Sequence, residues 1–505
     1  MVASGPRAQA KTFILFAPPM YLHLLDRPTS EPSVAPAQPH PVVASPAFDH
    51  APLYDRLANH LPSEQDRQGA ADFLRRTIDE LATNEDGVPD DPESLTAWMQ
   101  ANVEKVHTQY QDYLQGRKAG AQRRYFMNRA HALYFLRNVA PTKLVDGSWL
   151  YGLCAHADNA RLSDLVTTYV EELGDGLADK NHVKLYRALL ASNGLDPLEE
   201  LPDALYRQGL VQLALGWNAQ DFLPEIIGFN LGYEQLPLHL LITAYELNEL
   251  GIDPYYFTLH VTVDNADTGH AMRACTAALE NAPRIDDGGE YWRRVRIGAK
   301  LGDTGVSTVD VIQGFDIDSE VVRILSRKAP AGHGAHSDYC KVAGRSVNDW
   351  LSNPDDTTEF LAALEQANWI KRNRPAAESR FWQLLQGERA EMFGVFSPYE
   401  LQVIHDWIRG PESADGAHYE ATGGEGAKVR HMSFRVAERL KAARGVQRPV
   451  EQMSNPLDTD LALFEERYPM LDASGKRNML VQAMSPALHW TPVGMQATRL
   501  FLGRG

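Results

Sequence analysis

The chain has 505 residues and carries 66 acidic against 49 basic side chains, a formal net charge of −17. That balance argues against nucleic acid and anionic membrane as partners, because both present negative surfaces that would repel it. With 44% hydrophobic and 23% charged residues, the composition is that of an ordinary globular protein, with room for two to four domains and a large core.

Three cysteines, Cys154, Cys275 and Cys340, lie far apart and form no CxxC pair. No disulfide framework or thiolate zinc site is visible, which fits a reducing, cytoplasmic setting. No apolar run is long enough to span a bilayer. The apolar stretch Thr12–Leu25 is interrupted by Pro18 and Pro19 and is not read as a signal peptide.

Residues 1–52 read as a Pro-rich, largely unstructured segment, with prolines recurring among Ser, Ala and Thr from Arg27 to Pro52. From Leu53 onward, apolar residues fall at three- and four-residue steps, as in Ala70–Leu81 and Leu95–Leu114. Ala121–Val139 interleaves Arg and aromatic residues on an amphipathic helix that Pro141 ends. Further helices are expected over Ser148–His156, Ser163–Leu173, Val183–Asn193 and Pro202–Leu215. A short TVDVI run within Tyr291–Val322 is the one strand-like piece. Lys328–Arg345 is a Gly- and His-containing loop. Helices resume at Val347–Leu351, Thr358–Trp369, Ser379–Met392 and Pro398–Ile408, and residues 410–428 have the composition of a flexible linker. Arg430–Phe501 is helical with breaks. The expected organisation is a metal-binding helical bundle over 53–350 and a C-terminal helical extension over 351–505. Such periodicity with scarcely any strand pattern predicts an all-α protein. No Walker loop, GxGxxG, GxSxG or HExxH motif is present.

The chemistry centres on Pro224–His270. It reads as two long helices joined at Gly251-Ile252-Asp253-Pro254, with Gly closing the first and an Asp cap and Pro opening the second. The first helix carries Glu225, Glu234, Glu246 and Glu249. On the second, His260, Asp264 and Asp267 share one face among Tyr256, Phe257, Val263 and Ala271. One imidazole and two carboxylates on an apolar stripe are costly to bury unless a metal satisfies them, and such ligands suit Fe, Mn or Zn. With a rise of ~1.5 Å per residue, Glu234 lies ~24 Å from the turn, close to the ~10–21 Å of the His260 group, whereas Glu225 lies ~38 Å away.

A second cluster stands upstream in Tyr169–Tyr186. Glu171 and Glu172 end a helix, Gly174 and Gly176 make a turn, and His182 opens the next helix beside an Asn181 cap. Taken singly, each of these residues reads as a solvated or satisfied side chain. Taken together, Glu172, His182, Glu234, His260, Asp264 and one further ligand form the inventory of a helical diiron site drawn from several facing helices.

The pieces EELGDGLADKNHVKLY, GYEQLP and YFTLHVTVD resemble the haem-oxygenase-like diiron oxidases and oxygenases, the iron-containing redox enzymes. The resemblance covers roughly Tyr125–Arg345, with the tail SPALHWTPVGMQATRLF as a further stretch. It implies a haem-oxygenase-like bundle, here with additional C-terminal helices. It also implies two non-haem irons, O2 as co-substrate, and oxidation of a small amine- or carboxylate-bearing metabolite by N-oxygenation, desaturation or oxidative C–C cleavage. An external electron donor is a candidate partner, and the oligomeric state is open, a homodimer being one option. Arg129 and Arg137 are candidate substrate anchors, against the reading that they are surface charges. The alternatives are a metal-free enzyme or small-molecule-binding protein of the same fold, and, ranked last, a ferritin-like iron store, whose Glu-x2-His motifs are absent.

One departure concerns the last ligand. The family's third helix carries His-x3-Asp-x2-His, and here Asp267 stands where the second His is usual, with His270 three residues on. His270 is about 80° off the His260 face in an ideal helix, so it reaches the site only if the helix is broken or bulged. Asn265, Asp267, Thr268 and Gly269 are poor helix formers. The expected metal ligands are therefore Glu172, His182, Glu234, His260, Asp264 and His270, with Asp267 and Glu171 as second choices.

Overall fold

Helical periodicity becomes helix along nearly all of the chain that the computed structural model describes, namely residues 49–81, 87–196, 201–263, 269–286, 288–387, 390–411 and 458–504. Most of the Pro-rich N-terminal segment and of the 410–428 linker lie outside those residues, as do Asp264 and Asp267. The order begins with α1 (His50–Asn59), α2 (Glu64–Leu81), α3 (Leu95–Lys118), α4 (Arg129–Asn138) and α5 (Ala140–Lys143). It continues with α6 (Ser163–Glu172), α7 (His182–Ser192), α8 (Arg207–Trp217), α9 (Leu223–Tyr233), α10 (Leu238–Glu249), α11 (Tyr255–Val263), α12 (His270–Glu280) and α13 (Gly289–Leu301). Then come α14 (Thr308–Gln313), α15 (Ile317–Gly332), α16 (Val347–Leu351), α17 (Thr357–Gln366), α18 (Arg380–Gln386) and α19 (Pro398–Arg409). The chain closes with α20 (Thr459–Arg467), α21 (Ala473–Ala483) and α22 (Pro492–Phe501). The fold is all-α. Among the described residues the strands are confined to a two-residue hairpin, β1 (Lys341–Val342) against β2 (Arg345–Ser346), inside the loop read from the sequence. No helix among the described residues is long and apolar enough to cross a membrane.

Several expected elements differ in ways that local chemistry explains. TVDVI is helix α14, not a strand. Ser307 accepts from Asp310 N while the Asp310 side chain accepts from Ser307 N, and this capping box outweighs the β preference of the valines. Ser148–His156 winds as a 3-10 helix. The Pro224–Leu250 helix is two helices, because Pro237 lacks the N–H that a continuous helix needs. The break leaves Glu234 as the residue that ends α9. The turn after α10 is as expected: Gly251 has φ +68°, and Asp253 Oδ1 accepts from Tyr255 N at 3.0 Å.

Only the second half of Ala121–Val139 is helical. The reason is Glu246, a fully buried carboxylate on α10. It accepts from the backbone N–H groups of Arg124, Tyr125 and Phe126 at 2.5, 3.0 and 2.9 Å, and from Tyr113 Oη at 2.9 Å. Four donors offset its burial and hold the preceding segment out of helical geometry.

The arginines of α4 are also structural. Arg129 donates to Leu250 O, Gly251 O and Asn193 Oδ1, tying α4 to the α10 turn. Arg137 is buried against Glu320 of α15, with its guanidinium over the Tyr399 ring of α19. Neither lines the cavity beside the candidate site, so their reading as substrate anchors is set aside.

The closest helix contact is between α9 and α13. A Cβ on Gly228 would lie 1.8 Å from Val295 O, and one on Gly298 would lie 2.2 Å from Glu225 O. Only glycine allows two backbones so near. Glu225 pairs at 2.6 Å with Arg294 of α13 and is in neither group of clustered ligand candidates.

His131 of α4 makes a testable contribution to stability. Its Nε2–H donates to Ile312 O at 2.7 Å, and its Nδ1 accepts from Met127 N at 3.4 Å. Only the neutral ring can do both, and burial pushes its pKa down to about 4 despite the Ile312 carbonyl. Since the folded pKa lies below the unfolded one, the unfolded chain binds more protons between those values. Stability from this site is therefore full above about pH 6.5 and is lost as pH falls toward 4, on the order of 3 kcal/mol. Urea midpoints of the wild type and His131→Gln, taken at about pH 7 and 5, should show a smaller pH dependence in the variant. Equal slopes would remove His131 from the account.

Candidate metal centre

Each side chain of the site is delivered by a helix end or a break. Helix α6 stops at Glu172, and the Gly174–Gly176 turn follows, with φ of +65°, +55° and +78° at Gly174, Asp175 and Gly176. Asn181 then caps α7 by accepting from Lys184 N at 2.9 Å, and His182 is the first helical residue. Glu234 ends α9. His260 lies in the last turn of α11, and His270 opens α12 behind an extended Gly269. The described part of the third expected helix is thus two helices with His270 at the start of the second.

Two groups result, each with ligand atoms within 4.8 Å of one another: Asp146, Glu172, His182 and His260, and Glu172, Glu234 and His270. All six residues are buried. Glu172 belongs to both. Its Oε2 is in close contact with His182 Nδ1, while its Oε1 lies 3.4 Å from His270 Nδ1. His270 Nδ1 is also 3.0 Å from Glu234 Oε2. In the other group Asp146 Oδ2 lies 3.2 Å from His260 Nε2 and 3.9 Å from His182 Nδ1. The His182 and His260 rings are 4.3 Å apart between centroids.

Asp146 was not anticipated. It lies in the turn after α5, where an Asp-Gly pair reads as turn chemistry alone. Its partner Gly147 is a weak signal in retrospect. With φ +79°, it leaves room for Glu172, whose Cβ would lie 2.8 Å from a Cβ at that position. Tyr256 Oη donates to Asp146 Oδ2 at 2.6 Å and fixes its orientation. Burial alone would raise this carboxyl, but the Lys143 ammonium and the His260 and His182 imidazoles outweigh it and hold it below the usual carboxylate range.

The donor set fits a metal. Metal-bound imidazoles engage the outer ring nitrogen with a carboxylate or backbone carbonyl. His260 Nδ1 lies 2.8 Å from Tyr256 O, which leaves Nε2 toward the cluster. His270 Nε2 lies 2.8 Å from Glu171 Oε2, which leaves Nδ1 toward Glu172 and Glu234. Glu171 itself is half-exposed and takes a 2.6 Å bond from Arg273. Burial opposes its ionisation, but the bonds from His270 and Arg273 prevail and bring its pKa down to about 2. Glu171 therefore holds a ring from outside and is not among the inward-facing groups. Three buried carboxylates this close would be costly without cations.

The C-terminal segment backs the site. Asn181 Nδ2 lies 3.3 Å from His489 Nδ1, Tyr169 Oη donates to Met484 O at 2.5 Å, and Arg499 donates to Gly176 O at 2.7 Å. His489 Nε2 is buried with no hydrogen-bond partner among the described residues. Burial, with Arg187 and His182 nearby, pushes its pKa down to about 3, so the ring is neutral.

A cavity of about 220 Å³ opens beside the cluster, lined by Asp146, Glu172, Glu234 and His260 and by Lys143 and Tyr233. A larger, open hollow of about 510 Å³ near Thr167, Lys476 and Phe501 holds none of the cluster residues.

The all-α bundle is haem-oxygenase-like, and its helix breaks converge on buried carboxylates and imidazoles that could hold a metal. Residues 133–303, which hold all six residues of the two groups, match the family model described as iron-containing redox enzyme. No curated protein and no solved structure matches the chain.

Proposed function

We propose that the protein is a non-haem diiron oxidoreductase that uses O2 to oxidise a small amine- or carboxylate-bearing metabolite, by N-oxygenation, desaturation or oxidative C–C cleavage. The observation that carries this reading is Glu172, a carboxylate with one oxygen toward each of two donor groups. Two irons held there would supply the reduction of O2, with electrons shared between the metals. Asp146, His182 and His260 would hold one, Glu234 and His270 the other. The protein's own part is to orient and to exclude water. Glu171 and the Tyr256 carbonyl fix the His270 and His260 imidazoles, Tyr256 Oη fixes Asp146, and all six ligand residues are buried. An external electron donor and a cytoplasmic setting belong to the same proposal, as does the absence of nucleic-acid or membrane partners.

The test is anaerobic reconstitution with Fe(II) followed by elemental analysis and exposure to O2. Two irons per chain and an O2-dependent change in the optical spectrum are expected. A protein that takes up no iron, or only zinc, would favour a metal-free or non-redox role for the same fold.

A further inference from the structure

The cavity beside the cluster also contains a cation, Lys143, whose charge steadies Asp146 without pairing directly with it. Lys143 ends α5, one turn before Asp146, and its Nζ donates to Tyr233 Oη at 3.3 Å. An ammonium has three donors. Among the described residues, the Tyr233 hydroxyl is the one acceptor that Lys143 is seen to use, and no carboxylate forms an ion pair with it. The Tyr233 hydroxyl is itself held, taking a 3.4 Å bond from Gln212 Nε2. The ammonium is thus positioned by a fixed phenol, with donor capacity remaining toward the cavity.

The charges on the cavity wall decide what the cavity accepts. Asp146, Glu172 and Glu234 also line it, but on the reading above they are engaged by metal, and this inference rests on that reading. Of the remaining lining residues, Asp303 is exposed to solvent. His239 is pushed by burial, and then by Lys143, to a pKa of about 4 and is neutral. Lys143 is left as the cation of the wall, and the wall has no arginine among the described residues. An amine substrate would meet like charge there. A carboxylate would meet an oriented ammonium in a low-dielectric setting, where a charge-assisted hydrogen bond is strong. The volume of about 220 Å³ falls below the ~300–1,000 Å³ of drug-sized ligand pockets, so the guest is a compact metabolite.

We propose that Lys143, set by Tyr233, is the substrate anchor, and that the substrate is a small carboxylic acid whose carboxylate binds Lys143 and whose remainder lies toward the metal cluster. Among the amine- and carboxylate-bearing substrates of the reading above, this selects those with a free carboxylate.

The test measures binding to the Fe(II)-loaded protein under anaerobic conditions by calorimetry. The probes are butanoate, hexanoate and benzoate, each beside its amide and the corresponding amine. At least one acid should bind about tenfold or more tightly than its amide and its amine, a difference expected of a charge-assisted hydrogen bond. Lys143→Met, compared with the wild type at equal iron loading, should lose that preference, and Lys143→Arg should keep it. If no acid exceeds its amide in the wild type, or if Lys143→Met still prefers the acid, the anchor is elsewhere; direct ligation of the iron by the acid would give the second result. Should Lys143→Met fail to fold, the wild-type preference and Lys143→Arg still decide. Absence of iron from the wild-type protein would instead defeat the diiron reading, so the two failures are told apart.

Discussion

Replacement of Glu172 by alanine is expected to empty both halves of the metal centre, from two irons per chain to none, while leaving the helical content unchanged. The reason is position. Glu172 is the residue common to both donor groups, with Oε2 against His182 and Oε1 toward His270. Glu234→Ala and His260→Ala each touch one group, so each should cost one iron and leave the other. The helices that carry these side chains are packed through their own apolar faces, so loss of a ligand costs the metal more than the fold. Elemental analysis of the three variants after anaerobic Fe(II) loading, with circular dichroism on each, makes the comparison. A Glu172→Ala protein that retained a full iron would mean that the carboxylate is not shared. Equal losses in all three would mean that the two groups fill only together.

The largest effect on stability is expected from Gly228→Ala. An added Cβ would lie 1.8 Å from Val295 O, 2.7 Å from Val295 C and 2.9 Å from Ala299 N, all backbone atoms of α13. Backbone cannot rotate away as a side-chain end can, so α9 and α13 must separate. Overpacking of this kind costs about 3 kcal/mol or more, against a gain of roughly 1 kcal/mol from the better helix propensity of alanine. Gly232, one turn on, is a graded control. A Cβ there would lie 3.0 Å from Ala299 O, so a shift of a few tenths of an ångström suffices and the cost should be well below that of Gly228→Ala. Because Glu234 ends the same helix, Gly228→Ala should also weaken the Glu234–His270 group at temperatures where the fold persists. Thermal unfolding of the two variants checks the order. A Gly228→Ala protein as stable as the wild type would show that the α9–α13 contact is looser than described.

What the sequence determined by itself is local. Three- and four-residue periodicity gives the all-α class. The Gly174–Gly176 break, the Asn181 cap and the Gly251–Pro254 turn are written in residues adjacent to the features they create. The candidate ligands Glu172, His182, Glu234, His260 and His270 were legible as residue types at helix ends and breaks, and the structure brings these five together. Asp264 and Asp267 fall outside the described residues.

The tertiary structure decided what depends on packing. Glu171 and Glu172 are neighbours about 100° apart on one helix, and sequence spacing does not say which faces inward. Packing turns Glu172 to the cluster and leaves Glu171 on the outer nitrogen of His270. Arg129 and Arg137 looked available until α10, α15 and α19 closed over them. Asp146 was missed because its role comes from His260, 114 residues away, and nothing in an Asp-Gly turn announces that distance. A helix end is fixed by its own few residues, whereas a site made from the ends of several helices exists only once their apolar faces have set where those ends meet.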